Sequence, residues 1–395
     1  MTERAAPVLP PETADAGPLD VLLPGSGLPC LASVLPAVAD AIGAVELPSA
    51  AQSRALLGLP AATRACVVLV DGLGFLNLAE RAGHAPFLRR LLAGSAPISS
   101  TFPSTTATAM GTFGTGLPPG ATGMLGYTVR DPRTGRLGNL VSWTDLPPAR
   151  QWQPAPSVLE QVAATGTRVT SVGPARFAGS GLTEAALRGA TYRSAESLDA
   201  RVDATLDALR TPGLVYLYWG DVDKAGHRHG WGSSPWGDAL GELDAALAAL
   251  ARRMPPGTLL LVTADHGMVD VDLARRWDVA TDAVLRRDVA LVAGEPRALH
   301  LHLEDGADAD DVAARWTEHL GDDALVVTRD QAVRQGWFGA VEDRVRPVVG
   351  DVVVAMAGRA TVVDSRTQTP ASLDLVGVHG SLTRSEMLVP CLVVA

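Results

Sequence analysis

Cysteine is scarce in this chain: Cys30, Cys66 and Cys391 are the only three among 395 residues, far apart and without a Cys-x-x-Cys pair. An odd, scattered set builds neither a disulfide framework nor a thiolate zinc site. Charge is also sparse, at 19% of residues, which argues against long disordered polyampholyte tracts and long exposed coiled coils. Lys and Arg number 33 against 43 Asp and Glu, a formal charge of −10, and no basic cluster occurs. A nucleic-acid duplex is therefore not an expected partner, although bound cations can reverse the local field for a small anionic substrate. No apolar run approaches the roughly 20 residues that span a bilayer. Residues 1–29 lack a basic stretch leading into an apolar one. The expectation is a cytoplasmic chain with no signal peptide and no membrane partner.

What is present is a large apolar fraction, 47%, punctuated by 40 Gly and 28 Pro. Residues 1–20, rich in Pro and Ala, read as a flexible tail. From residue 65 the pattern becomes regular. The run Ala65-Cys66-Val67-Val68-Leu69-Val70 ends at Asp71-Gly72 as a buried parallel strand would. Further strands are predicted over 168–172, 214–219 and 258–263, and helices over 84–93, after Ser157 as a cap, and through Leu198-Val202-Leu206 and Leu240-Leu243-Leu247. Strands alternating with helices indicate an α/β fold with a mostly parallel central sheet. After Val269 the rhythm changes. Strand 298–303, helix 308–320 and strand 324–328 form a β-α-β unit, while 351–356 and 360–363 read as an antiparallel pair returning to the main sheet. The expected division is a core of 21–285 and 345–395 with a small α+β cap inserted at 286–344.

In an open parallel sheet, ligands bind beyond the carboxyl ends of the strands. That edge is where this chain concentrates Asp and His. Asp71 follows the first strand, Asp223 and His227 follow 214–219, Asp265-His266 follows 258–263, and His379 sits in Gly-Val-His-Gly. Three carboxylates and three imidazoles brought together suit Zn²⁺, Mn²⁺ or a related divalent ion. Singly, each has a plainer reading as a turn, cap or loop residue; their joint placement favours ligation. Between them, Ser104-Thr105-Thr106-Ala107-Thr108 precedes a predicted helix whose N-terminus could hold an anion and expose a hydroxyl nucleophile. Asp221 is a weaker alternative ligand, Lys224 a weaker substrate contact, and His300 with His302 a weaker third metal pair than a half-buried strand face. Trp231, Trp236 and Trp337 are more simply packing residues than nucleobase platforms.

Taken together these residues resemble the alkaline phosphatase superfamily, and within it the nucleotide pyrophosphatase/phosphodiesterase (type I phosphodiesterase) family. Val-Asp-Gly at 70–72, Asp223-Lys-Ala-Gly-His227, Asp265-His266-Gly267-Met268 and Gly377-Val378-His379-Gly380 carry the likeness. The family nucleophile lies nine residues before the Thr of a Thr-Gly pair, and counting back from Thr115 reaches Thr106. Thr101, in Thr-Phe-Pro-Ser, ranks second and Thr105 third. One departure stands out: where relatives carry an Asn 21 residues after the nucleophile, this chain has Tyr127.

The resemblance implies an alkaline-phosphatase-like core and two divalent ions, Zn²⁺ first and Mn²⁺ second. Asp71, Asp265, His266 and Thr106 would hold one ion; Asp223, His227 and His379 would hold the other. It further implies hydrolysis of phosphodiester or pyrophosphate bonds in small, nucleotide-type substrates through a phosphothreonine, with Tyr127 and the Thr106 amide holding a phosphoryl oxygen. Alternatives are a phosphomonoesterase, a phosphonate hydrolase or phosphosugar mutase, and a catalytically silent metal-binding protein.

Overall fold

A computed structural model describes residues 20–44, 47 and 49–394; apart from its last residue, the expected 1–20 tail lies outside them. Two sheets organise the chain. The central one runs in the order Cys391–Val394, Thr258–Thr263, Arg64–Val70, Gly213–Trp219, Val169–Gly173, Thr191–Ser194. All neighbours are parallel except Cys391–Val394, which lies antiparallel on Thr258–Thr263. Arg64–Val70 is buried from Ala65 onward. Its Val-Val-Leu-Val stretch is thus covered on both faces, as β-branched residues in a central parallel strand require. Ser157 caps Val158–Ala164, its hydroxyl accepting from the Glu160 N–H at 3.0 Å. Leu240, Leu243, Leu247 and Leu250 form the buried stripe of Ser234–Arg253.

The second sheet is antiparallel, in the order Ala324–Thr328, Val352–Met356, Ala298–Leu303, Val289–Glu295, Thr128–Arg130, Leu137–Asn139. It corrects one expectation. Val352–Met356 does not return to the main sheet but fills the gap between Ala298–Leu303 and Ala324–Thr328, antiparallel to both. Thr361–Val363 pairs instead with Arg276–Asp278, in parallel. An apolar run of five residues fits a central strand of either sheet, and only the β-α-β unit, which leaves a slot between its two parallel strands, selects this one. The Cys391–Val394 strand and the pair at 128–139 were not anticipated, being too short for a periodic signal.

Arg297 and Glu386 tie the second sheet to the segment that follows His379. Both are fully buried, and the guanidinium donates to the carboxylate at 2.7 and 3.1 Å. Arg297 also donates to the carbonyls of Met356, Ala357 and Ala360. With so many partners the pair tolerates burial; removing one member costs about 3–5 kcal/mol.

His300 and His302 point into the protein interior, 1% and 4% exposed, and join no metal-binding cluster among the described residues. Burial pulls both imidazoles down to about 3, with Arg130 and Arg329 adding to the effect at His302. Between the ordinary histidine value near 6.5 and about 3 the unfolded chain binds protons that the folded chain refuses, so stability falls as pH falls through that window. We expect the melting temperature to drop on acidification below about pH 6.5. His302→Leu should retain more of it at pH ~4 than the parent, and identical acid limbs would contradict the assignment.

Candidate metal centre

The carboxyl edge of the central sheet gathers the predicted residues. Asp71 follows Val70, its N–H bonded to the Trp219 carbonyl at 2.8 Å. Gly72 then turns the chain with φ +72°, and a Cβ there would lie 2.9 Å from Asp223; only glycine offers both the backbone shape and the space. The Gly72 N–H donates to Asp265 Oδ1 at 3.1 Å, as does the His266 N–H. Asn77 clamps the same loop by donating to the Met268 carbonyl and accepting from its N–H, both at 3.1 Å.

Each histidine is oriented by the backbone. Nδ1 of His266, His227 and His379 lies 3.0, 2.7 and 3.1 Å from the carbonyls of Gly267, Gly377 and Ser104. A carbonyl only accepts, so each Nδ1 carries the proton and each Nε2 keeps its lone pair for a ligand. His266 Nε2 sits 3.4 Å from Asp71 Oδ1 and 3.5 Å from Asp265 Oδ2; His227 Nε2 is 3.3 Å from Asp223 Oδ2. His379 stacks on His266 with ring centroids 3.5 Å apart. Two donor groups result: Asp71, Asp265 and His266, all buried; and Asp223, His266 and His379, with Asp223 partly exposed. His266 belongs to both, and His227 joins the second group through Asp223 rather than directly.

These groups have the chemistry of a cation site. Asp71 Oδ1, Asp223 Oδ1 and Asp265 Oδ2 are buried without a hydrogen-bond partner. Burial, then repulsion from Asp265 and Asp223, holds the Asp71 carboxyl well above the ordinary carboxylate range; burial and Asp223 push Asp265 up to about 7. Burial and the two neighbouring imidazoles pull His379 well down. Carboxylates crowded this way are costly unless positive charge joins them, and facing imidazole lone pairs point the same way. The residues therefore fit two divalent ions.

Thr106 opens the helix Thr106–Thr115, and its Oγ1 lies 3.3 Å from His266 Nε2. Of the other threonines weighed, Thr101 turns its hydroxyl to the Pro103 carbonyl at 3.3 Å, and Thr105 is buried beside Glu295. Tyr127 stands at the rim of the site, 42% exposed. Asp221 and Lys224 pair with each other at 2.5 Å, and Trp236 and Trp337 are fully buried. Sequence reasoning missed Tyr218, whose hydroxyl donates to Asp71 Oδ2 at 2.5 Å; the available signal was the second of two phenols in the strand Gly213–Trp219, one residue before its end. It also missed Glu295, which no motif marks.

The family model for type I phosphodiesterase / nucleotide pyrophosphatase matches residues 65–382. The chain belongs to this family. Among curated proteins, phosphopentomutase of Anaeromyxobacter dehalogenans (strain 2CP-C) is 41% identical over 117 residues, 29% of this chain and 28% of that protein. Phosphopentomutase of Rhizobium meliloti (strain 1021) is 33% identical over 138 residues, 33% of this chain and 30% of that protein. This chain thus matches under a third of the length of these relatives. Among solved structures, murine ectonucleotide pyrophosphatase/phosphodiesterase 5 superposes with a TM-score of 0.67 at 17% identity, over 84% of this chain and 87% of that one. Phosphonoacetate hydrolase of Sinorhizobium meliloti 1021 gives 0.65 at 22%, over 84% and 89%. At such identities the superpositions establish a shared fold: an alkaline-phosphatase-like α/β core. A threonine-to-alanine form of the murine protein, described as inactive, has been solved with AMP.

Proposed function

We propose that this family member is a two-metal hydrolase of phosphodiester or pyrophosphate bonds in small phosphorylated substrates, nucleotide-type ones included, with Thr106 as nucleophile. The observation that carries the reading is the Thr106 hydroxyl, set at a helix N-terminus and 3.3 Å from His266 Nε2 within the carboxylate cluster. Asp71, Asp265, His266 and Thr106 would hold one ion, and Asp223, His227 and His379 the other. Zn²⁺ is the first choice and Mn²⁺ the second. Such a pair, when bound, supplies Lewis-acid stabilisation to the attacking and leaving oxygens of an in-line displacement. Thr106 Oγ1 gives up its proton to solvent and forms a bond to phosphorus as the bond to the leaving oxygen breaks and that oxygen is protonated; water then adds to phosphorus, and a proton returns to Thr106 Oγ1 as the phosphothreonine bond breaks. The N-terminal N–H groups of Thr106–Thr115 and the Tyr127 hydroxyl hold a non-bridging oxygen. Tyr218 keeps the Asp71 carboxylate turned toward the cluster. The inactive threonine variant of the murine neighbour supports a threonine in this role.

Tyr127 in place of the family Asn changes the reach of the donor at the phosphoryl oxygen, so substrate preference does not carry over from relatives, and phosphomonoester or phosphonate hydrolysis is the second reading. A panel of bis-p-nitrophenyl phosphate, p-nitrophenyl phosphate and a nucleoside p-nitrophenyl phosphate separates them. The proposal expects higher kcat/KM for the diesters with metal-loaded enzyme. Faster turnover of the monoester, cleavage of phosphonoacetate, or phosphosugar isomerisation without free phosphate would replace it.

A further inference from the structure

Two cavities meet at the metal centre and share Thr105, Tyr127, His227 and His379 as a common wall. The smaller, about 230 Å³, contains the Thr106 side and is lined by the aromatic rings of Phe177, Tyr192, Tyr216 and Tyr218. The larger, about 600 Å³, extends over the second sheet and toward the 364–375 segment. Their chemistry differs. Among the described residues the larger cavity has no Lys or Arg in its lining, and Tyr127 is its only aromatic ring besides the His227 and His379 imidazoles of the shared wall. Asn139, Gln368 and several hydroxyls face it together with Asp145, Glu295 and Asp364; Asp364 is neutralised by Arg366 at 2.6 Å.

Glu295 is the unusual member. It ends the strand Val289–Glu295, is 7% exposed, and neither carboxyl oxygen has a hydrogen-bond partner. Thr105 and the Tyr127 N–H approach the carboxyl without closing a bond of good geometry. Gly380, directly after His379, makes room for it: a Cβ there would meet Glu295 Cγ at 2.8 Å. A buried carboxyl without partners costs stability, so this one serves a ligand that brings donors. Without an aromatic cage the cavity suits a quaternary ammonium poorly, and beyond the shared wall, where Asp145 and Glu295 face it and no Lys or Arg does, it disfavours a phosphate chain. Neighbouring hydroxyl groups on one ligand match a carboxyl with several acceptor sites and flanking amides.

Building on the reaction proposed above, we infer that this cavity receives a polyol or sugar substituent of a phosphodiester, hydrogen-bonded to Glu295, and selects against polyphosphate. The test compares AMP esters of glycerol, ribose and 1-propanol, with ATP as the polyphosphate arm. Their dissociation constants are measured calorimetrically on metal-loaded Thr106→Ala protein, so that binding is read without turnover. The glycerol or ribose ester should bind about tenfold more tightly than the propyl ester, the better of the two naming the occupant, and ATP should bind more weakly. Adding Glu295→Met should erase the preference while raising the melting temperature, because it removes an orphaned carboxyl without leaving a void. Equal affinity for hydroxylated and propyl esters, tighter ATP binding, or a preference that survives Glu295→Met would overturn the inference, as would a fall in melting temperature with the preference intact. Turnover of bis-p-nitrophenyl phosphate by the parent enzyme reports the reaction separately: its absence, with the preference present, would reject the chemistry and leave the cavity assignment standing.

Discussion

Thr106→Ala should abolish phosphodiester turnover, by about 10³-fold or more, while bound metal measured by elemental analysis stays near the parent value. The substitution deletes one oxygen and one methyl at the first residue of a helix and leaves three carboxylates and three imidazoles in place. Thr101→Ala is the control. Its hydroxyl is engaged by the Pro103 carbonyl, whereas that of Thr106 lies on His266 Nε2, so the variant should keep turnover within a few fold. Full activity in Thr106→Ala with a dead Thr101→Ala would move the nucleophile and dismantle the proposed geometry. A loss of metal in Thr106→Ala matching its loss of activity would make Thr106 chiefly a ligand.

Removing metal should be the second large effect. Chelation should end activity and lower the melting temperature together, and Zn²⁺ or Mn²⁺ should restore both. Stripped of cations, Asp71, Asp223 and Asp265 are left with buried oxygens that nothing satisfies, and mutual repulsion weakens the fold around them. Ligand linkage contributes about 4 kcal/mol at a thousandfold excess over the dissociation constant, equivalent to a rise of roughly 5 °C for a chain of this size. Asp265→Asn discriminates. It should raise the melting temperature of the chelated protein, because one repelling charge is gone, and abolish most of the gain on adding metal. Undiminished turnover in protein shown by elemental analysis to hold no metal would end the two-metal reading.

The candidate site was legible to the extent that its Asp and His residues follow strands. Asp71, Asp223 and Asp265-His266 stand just past apolar runs whose burial on both faces could be read directly, and such ends converge in a parallel sheet. The alternation of strand and helix similarly exposed the central sheet. What escaped notice was carried by contact rather than pattern. Tyr218 reads as one more β-forming aromatic until its hydroxyl is seen on Asp71. Glu295 lies 189 residues from Thr106 in the chain, on a strand of the other sheet. The pairing of Val352–Met356 was misjudged because its all-apolar composition suits a central strand of either sheet, and its neighbours are chosen by the gap that Asp308 to Leu320 spans.

By itself the sequence determined the fold class and the family and marked the six Asp and His residues as candidates, because short-range hydrophobic pattern and local motif spacing carry that information. Tertiary structure alone decided which hydroxyl faces the cluster, that His266 serves both donor groups, and that a partnerless carboxyl waits beside them. Those outcomes depend on side-chain directions and on distances across sheets, which no local pattern of residues specifies.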